Sequence, residues 1–271
     1  MRTTNNRGSV SAAMDLGLDG RTALVTGGAG RLGSEDARHL AREGAEVVVL
    51  DVDTDGAERV VAEIEDDGGD AMAVTCDLTD RDDVRESVAE IREATGGVDV
   101  LVNNAGFVDA VSRAGDFDDD LWDRDVELNL TGAYNITKEV FPGMRERGWG
   151  RVITMASIAG THGSFGQLSY STTKSGLVGF GKTLALEGAT DGVTSNVLAP
   201  SIVVKELAEM DPETLEQFQP SFERVRQATP MQELGREDDV APMVCYLASE
   251  QARYVTGQVI GITGGADLLS T

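Results

Sequence analysis

Two residue types that can move a proton stand four positions apart in the stretch QLSYSTTKSG: Tyr170 and Lys174. On a helix this spacing puts both side chains on one face, roughly 5 to 6 Å apart at Cβ. A phenol beside an ammonium can act as a base only if the cation favours its ionised form, so the pair suggests proton abstraction. An exposed polar pair on a solvated helix would read the same. The chain has four tyrosines and four lysines, and a serine, Ser157, stands 13 residues before Tyr170. Chance would produce this three-residue pattern on the order of 0.003 times.

A second group bears on phosphate chemistry. Gly28, Gly30 and Gly33 spell GxGxxG within TGGAGRLG. In a chain with 32 glycines the pattern alone means little. Its setting adds meaning: an apolar run, TALVT, precedes it and the helical segment SEDARHLAREG follows. Backbone N–H groups and a helix N-terminus can then face a pyrophosphate. Asp51, about twenty residues on at the end of EVVVLD, can accept hydrogen bonds from ribose hydroxyls and would repel a 2′-phosphate, which favours NAD over NADP. Asp51 could equally be a turn or capping residue, and Asp53 could share the ribose role.

The elements that must position these groups follow from periodicity. Short β-rich runs (TALVT, EVVVL, AMAVTC, VDVLVN, RVITMAS, TSNVLAP and GQVIGITGG) alternate with helical patterns such as DVRESVAEIREATG, where Val84, Val88 and Ile91 share a face. This predicts an α/β fold: one doubly wound domain over residues 14–271, with a seven-stranded parallel sheet covered on both faces. Residues 1–13 are patternless and are expected to be a disordered extension. Residues 201–232 form an insertion between the sixth and seventh strands, read either as a substrate-binding lid or as decoration.

Composition sets aside other classes. With 47 acidic against 23 basic residues the net charge is −24, which repels nucleic acid and anionic membranes. No run is long and apolar enough for a membrane span or signal peptide, so a cytoplasmic protein is expected. Cys76 and Cys245 suit buried free thiols, and with His39 and His162 they form no metal-ligand spacing, so no metal is expected. The acid-rich, lysine-poor composition is similar to that of proteins adapted to high salt, although a GC-rich genome alone would also favour Arg over Lys.

These motifs resemble the short-chain dehydrogenase/reductases over nearly the whole chain, from about Leu18 to Leu268. The likeness rests on the Gly-rich turn, CDLTD around Asp77, NNAG at 103–106, NLTGAYNITK with Asn129, the Ser157, Tyr170 and Lys174 pattern, and LASEQARYVTGQVIGITGG. The resemblance implies an oxidoreductase for alcohols and ketones, using a nicotinamide cofactor and usually tetrameric, with Asn129, Ser157, Tyr170 and Lys174 as catalytic tetrad. It implies cofactor contacts from Gly27, Gly30, Arg31, Leu32 and Gly33, from Asp51 and Val52, and from Asp77 and Leu78. Asn104, Ala105, Gly106, Tyr170, Lys174, Pro200 and Val203 would complete the set.

On this reading Tyr170 takes the alcohol proton, and lowering its pKa by about three units needs roughly 4 kcal/mol from Lys174 and the oxidised nicotinamide. Lys174 also holds the nicotinamide ribose, Ser157 holds the substrate oxygen, and Asn129 anchors a proton-passing water. His162, Phe165 and Gln167, between Ser157 and Tyr170, are expected to line the substrate pocket or else to pack as an ordinary loop. Arg31 replaces a glycine common in the family and resembles the arginine of pteridine reductases, which could soften the NAD preference. Ser201 and Lys205 depart from the family's usual Gly and Thr after the sixth strand and leave the nicotinamide amide contacts open. Alternatives are an NADP-dependent 3-oxoacyl-thioester reductase, a sugar dehydrogenase, or a non-catalytic dinucleotide-binding regulator. An epimerase or dehydratase would need a larger C-terminal domain.

Overall fold

The computed structural model describes residues 15–108 and 111–268, so the expected extension at 1–13 lies outside the described residues. Seven parallel strands form one sheet in the order β3-β2-β1-β4-β5-β6-β7. They are β1 (Thr22–Thr26), β2 (Glu46–Asp51), β3 (Ala71–Thr75), β4 (Val100–Asn103), β5 (Gly150–Met155), β6 (Val193–Pro200) and β7 (Val259–Ile262). The order reverses between β1 and β4, and a crevice opens at such a switch point beyond the strands' carboxyl ends.

Strand alternation decides which residues face which layer. Ala23, Val25, Val47 and Val49 point to one side, where they meet Ala37 and Leu40 of α1 (Arg31–Arg42), Val60 and Ile64 of α2 (Thr54–Asp66), and Val244 of α11 (Ala241–Ala248). Leu24, Val48 and Leu50 point to the other. There they meet Val84, Val88 and Ile91 of α3 (Arg81–Thr95) and Ile136, Val140 and Met144 of α5 (Ala133–Arg147). Both faces are therefore covered, as the near-continuous apolar strands require, and each fully buried Val, Leu or Ile contributes about 1.5–3 kcal/mol.

Of the remaining helices, the longest starts at the carboxyl edge and runs back along β5 and β6, and the others lie near that edge. α4 (Asp119–Val126) runs into a π-helical turn, Glu127–Gly132, before α5. α6 (Ile158–His162) and the 21-residue α7 (Leu168–Gly188) follow β5. The insertion carries α8 (Lys205–Ala208), α9 (Pro212–Phe218) and α10 (Pro220–Ala228). Its base is pinned by a parallel bridge between Val203 and Gly235. Among the described residues no helix is long and apolar enough to cross a membrane.

Candidate active site

A cleft of about 900 Å³ opens over the carboxyl edge at the switch point. Its floor is the Gly-rich turn. Gly27 has φ +63, and a Cβ there would come 2.8 Å from the Ala105 Cα, so only glycine lets the turn lie against the NNAG segment. The Thr26 hydroxyl receives the amides of Asn104 (3.1 Å) and Ala105 (3.2 Å), while the Asn104 side-chain amide donates to the carbonyls of Thr26 (3.0 Å) and Gly27 (3.2 Å). Gly33 does not line the cleft; it packs beneath the turn against the Gly27 carbonyl and Asn104. α1 has Gly30 as its N-cap and no side-chain cap, so its first-turn amides are left for an anion in the cleft, which Arg31 and Leu32 also line.

Asp51 lines the cleft at the end of β2. One carboxylate oxygen receives the Ala29 amide at 3.0 Å and the other the Asp53 amide at 3.0 Å, which fixes the group and leaves lone pairs for ribose hydroxyls. Asp53 caps α2 by accepting from the Gly56 amide at 3.1 Å and is not among the residues lining the cleft. Val52, Asp77, Leu78, Asn104, Ala105, Gly106, Pro200 and Val203 all line the cleft as well. Arg31 faces Glu206 at 3.2 Å and Glu237 at 3.9 Å. Lys205 lies outside the lining and pairs with Asp238 at 3.7 Å.

Ser157, Tyr170 and Lys174 meet at the other end of the cleft. Ser157 sits just past β5 as the N-cap of α6, and its hydroxyl oxygen accepts the Ala159 amide at 3.2 Å. That leaves the hydroxyl proton free to donate into the cleft, beside the Tyr170 phenol. Burial pushes the Tyr170 pKa above its ordinary value, and the neighbouring Ser157 hydroxyl acts in the opposite sense. Lys174 is 4% exposed, donates to the Met155 carbonyl at 2.8 Å, and has its Nζ 5.6 Å from the Tyr170 ring centroid. Burial lowers its pKa to about 8. The sequence reading expected a lowered tyrosine pKa; within the protein alone desolvation outweighs the hydroxyl, and the balance differs because both groups are buried.

Asn129, in the π-helical turn, is fully buried and lies outside the cleft lining. Its side-chain oxygen accepts the Phe107 amide at 2.9 Å and its nitrogen donates to the Phe107 carbonyl at 3.0 Å. A Cβ on Gly106 would meet the Asn129 oxygen at 2.6 Å and the Lys174 Nζ at 3.2 Å, so these three converge on one point. His162, Phe165 and Gln167 are not among the lining residues: His162 is exposed against the Thr161 hydroxyl at 2.8 Å, Phe165 is 80% exposed, and Gln167 is the N-cap of α7. The lining also includes Phe107, Asp123, Arg124, Glu127 and Leu128, which no spacing in the sequence singled out. Cys76 and Cys245 are buried, and burial pushes the thiols to about 11 and about 12.

The glycine cradle, the uncapped helix start and the fixed Asp51 carboxylate fit a dinucleotide. Comparison with known proteins agrees with this architecture. A family model described as enoyl-(acyl carrier protein) reductase matches residues 28–267. The chain is 37% identical over 246 residues to nodulation protein G of Azospirillum brasilense, covering 90% of this chain and 97% of that protein. It is 34% identical over 248 residues to a 3-oxoacyl-[acyl-carrier-protein] reductase of Thermotoga maritima, covering 92% and 98%. Among solved structures, a single-substitution variant of the actinorhodin polyketide ketoreductase with NADPH superposes with a TM-score of 0.83 at 35% identity, covering 91% of this chain and 97% of that one. The chain belongs to the short-chain dehydrogenase/reductase family of oxidoreductases.

Proposed function

We propose that the protein is an NAD-linked oxidoreductase that interconverts a secondary alcohol and a ketone through Asn129, Ser157, Tyr170 and Lys174. The observation that carries this is the convergence of Ser157, Tyr170 and Lys174 at one end of the cleft, with the Lys174 Nζ 5.6 Å from the Tyr170 ring centroid. When bound, a nicotinamide dinucleotide would supply the hydride acceptor or donor. Tyr170 takes the proton from the alcohol oxygen during oxidation and returns it to the ketone oxygen during reduction. Ser157, whose oxygen is occupied by the Ala159 amide, donates its proton toward the reacting oxygen and holds it against Tyr170. Lys174 favours the phenolate while charged. Asn129 holds the Phe107 backbone and so fixes the wall beside Lys174. It is assigned here a positioning role rather than a water-anchoring one.

The Gly-rich turn and the α1 N-terminus would hold the pyrophosphate, and Asp51 the adenosine ribose. Asp51 supports NAD because its carboxylate would repel a 2′-phosphate, and Arg31 does not offset this while it faces Glu206 and Glu237. A second reading, NADP-linked reduction of a 3-oxoacyl thioester, is favoured by the names of the Thermotoga relative and of the NADPH-bound ketoreductase. Family likeness further supports a homotetramer acting in the cytoplasm on a small-molecule substrate. Turnover of secondary alcohols, sugars and 3-oxoacyl thioesters with NAD(H) and NADP(H) in parallel separates the readings. Higher kcat/KM with NAD(H) is expected, and a preference for NADP(H) would select the second reading.

A further inference from the structure

α7 turns one face to the cleft and another to α4 and the π-helical turn. Ser169 and Gly176, seven residues apart, share the second face. The Ser169 hydroxyl donates to the Asp125 carboxylate of α4, and a Cβ on Gly176 would meet Leu130 of the π-helical turn at 3.2 Å. Tyr170 and Lys174 line the cleft, and Tyr170 stands one position, about 100°, round the helix from Ser169. The Asp125–Ser169 contact is closed to solvent: Asp125 is 2% and Ser169 1% exposed, whereas Asp118, Asp119, Asp120 and Asp123 of the same acidic run are exposed. The second Asp125 oxygen has no hydrogen-bond partner among the described residues. Burying a carboxylate is unfavourable unless its surroundings compensate. Here the start of α7 does so in part: its N-cap, Gln167, makes no side-chain cap bond, so the first-turn amides leave positive partial charge at the end that Asp125 meets.

We propose that Asp125 is a positioning residue for proton transfer: through Ser169 it fixes the rotation of the first turn of α7 and so aims the Tyr170 phenol into the cleft. This rests on the reading of Tyr170 as the proton-transferring group. Asp125 does not line the cleft and acts only through its neighbour. Four residues along the same segment, Asn129 holds the Phe107 amide and carbonyl, and a Cβ on Gly106 would meet both Asn129 and the Lys174 Nζ. One stretch of chain thus clamps two walls of the site with buried polar side chains, the loop after β4 by Asn129 and the start of α7 by Asp125. Lys174 has an anchor of its own, the Met155 carbonyl at 2.8 Å, so loss of the Asp125 contact falls on Tyr170 and spares the dinucleotide end. A reacting group displaced by about 1 Å can cost on the order of a hundredfold in rate, which bounds the effect from above.

The test uses Ser169→Ala, Asp125→Ala and Asp125→Asn, each alone, and Ser169→Ala combined with Asp125→Ala and with Tyr170→Phe. Ser169→Ala and Asp125→Ala should each lower kcat several-fold, with KM and NADH affinity by fluorescence titration within about twofold of wild type. Their combination should lose no more than the worse single variant, because both remove one contact. Asp125→Asn, which keeps an acceptor oxygen for the Ser169 hydroxyl, should recover most of the rate. The decisive readout is the Tyr170→Phe background, where Ser169→Ala should leave the residual turnover unchanged: with the phenol gone there is nothing to aim. Ser169→Ala, which deletes a single hydroxyl, carries the test if Asp125→Ala does not fold. Wild-type kcat in Ser169→Ala, an equal further loss in the Tyr170→Phe background, or a fall in NADH affinity matching the fall in kcat would each overturn this inference and leave the oxidoreductase reading intact. If Tyr170→Phe itself keeps most of its activity, the reading of Tyr170 fails, and this inference with it.

Discussion

Asp36 offers the most direct probe of packing beneath the cofactor turn. It lies on α1, is 0% exposed, and neither carboxylate oxygen has a hydrogen-bond partner among the described residues. Burial, with the nearby Glu35 charge as the smaller cause, holds its pKa well above the ordinary carboxylate value. The group faces the α1–α11 interface, where its charge in turn raises the Cys245 thiol. A folded-state pKa above the unfolded value means that the folded protein binds the proton more tightly. The contribution is fully present below the unfolded pKa, near 3.8, and is lost as pH rises through the folded value. Replacing the buried, unpartnered group with an apolar side chain of similar size removes a desolvation cost of about 1–3 kcal/mol. Asp36→Leu should therefore raise the melting temperature by roughly 2–12 °C at pH 8, at about 2–4 °C per kcal/mol for a chain near this length. The increment should be smaller at pH 5, and Asp36→Asn should recover part of it. Scanning calorimetry at the two pH values measures both. A variant less stable than wild type at pH 8, or an increment that does not change with pH, would refute the reasoning.

Three further outcomes follow from the site. Asp51→Ala should narrow the NAD preference by removing the repulsion of a 2′-phosphate, read as the ratio of kcat/KM for the two dinucleotides; an unchanged ratio would move the discrimination elsewhere. Asp125, 2% exposed on α4, accepts a short hydrogen bond from Ser169, the residue before Tyr170, so Ser169→Ala should lower kcat several-fold with dinucleotide affinity retained; unchanged kcat would make the contact merely structural. With a net charge of −24 per chain, assembly mass and activity should be sustained in molar KCl and fall in dilute buffer, and a stable, fully active tetramer in 10 mM salt would mean that the acidic surface is not an adaptation to salt.

The fold was legible because each strand is a run of apolar residues set off by glycine or polar turns, and each covering helix shows one apolar face, as Val84, Val88 and Ile91 do on α3. The Tyr170 and Lys174 pair was legible because fixed spacing on a helix fixes relative placement. Asn129 was found by its motif, but its clamp on Phe107 depends on the π-helical turn, which no periodicity announces. Asp125 belongs to a run of aspartates that reads as a solvated face; only the packing of α4 on α7 separates the buried one from its exposed neighbours. The cleft residues Phe107, Arg124 and Leu128 arrive from segments whose spacing carries no chemistry, so their roles emerge only when β4 and α4 are brought to one edge. For Phe165 the loop position was apparent and its outward exposure was not.

The central claim, that Tyr170 is the proton-transferring group, is tested by Tyr170→Phe with two readouts on the same preparation. Dinucleotide affinity, from fluorescence titration with NADH, should stay within about twofold of wild type. Alcohol oxidation should fall by at least about a hundredfold. In the wild type, oxidation should rise with pH above neutrality, because burial raises the phenol's pKa and deprotonation creates the base. Retention of most of the activity by Tyr170→Phe, with binding intact, would contradict the account.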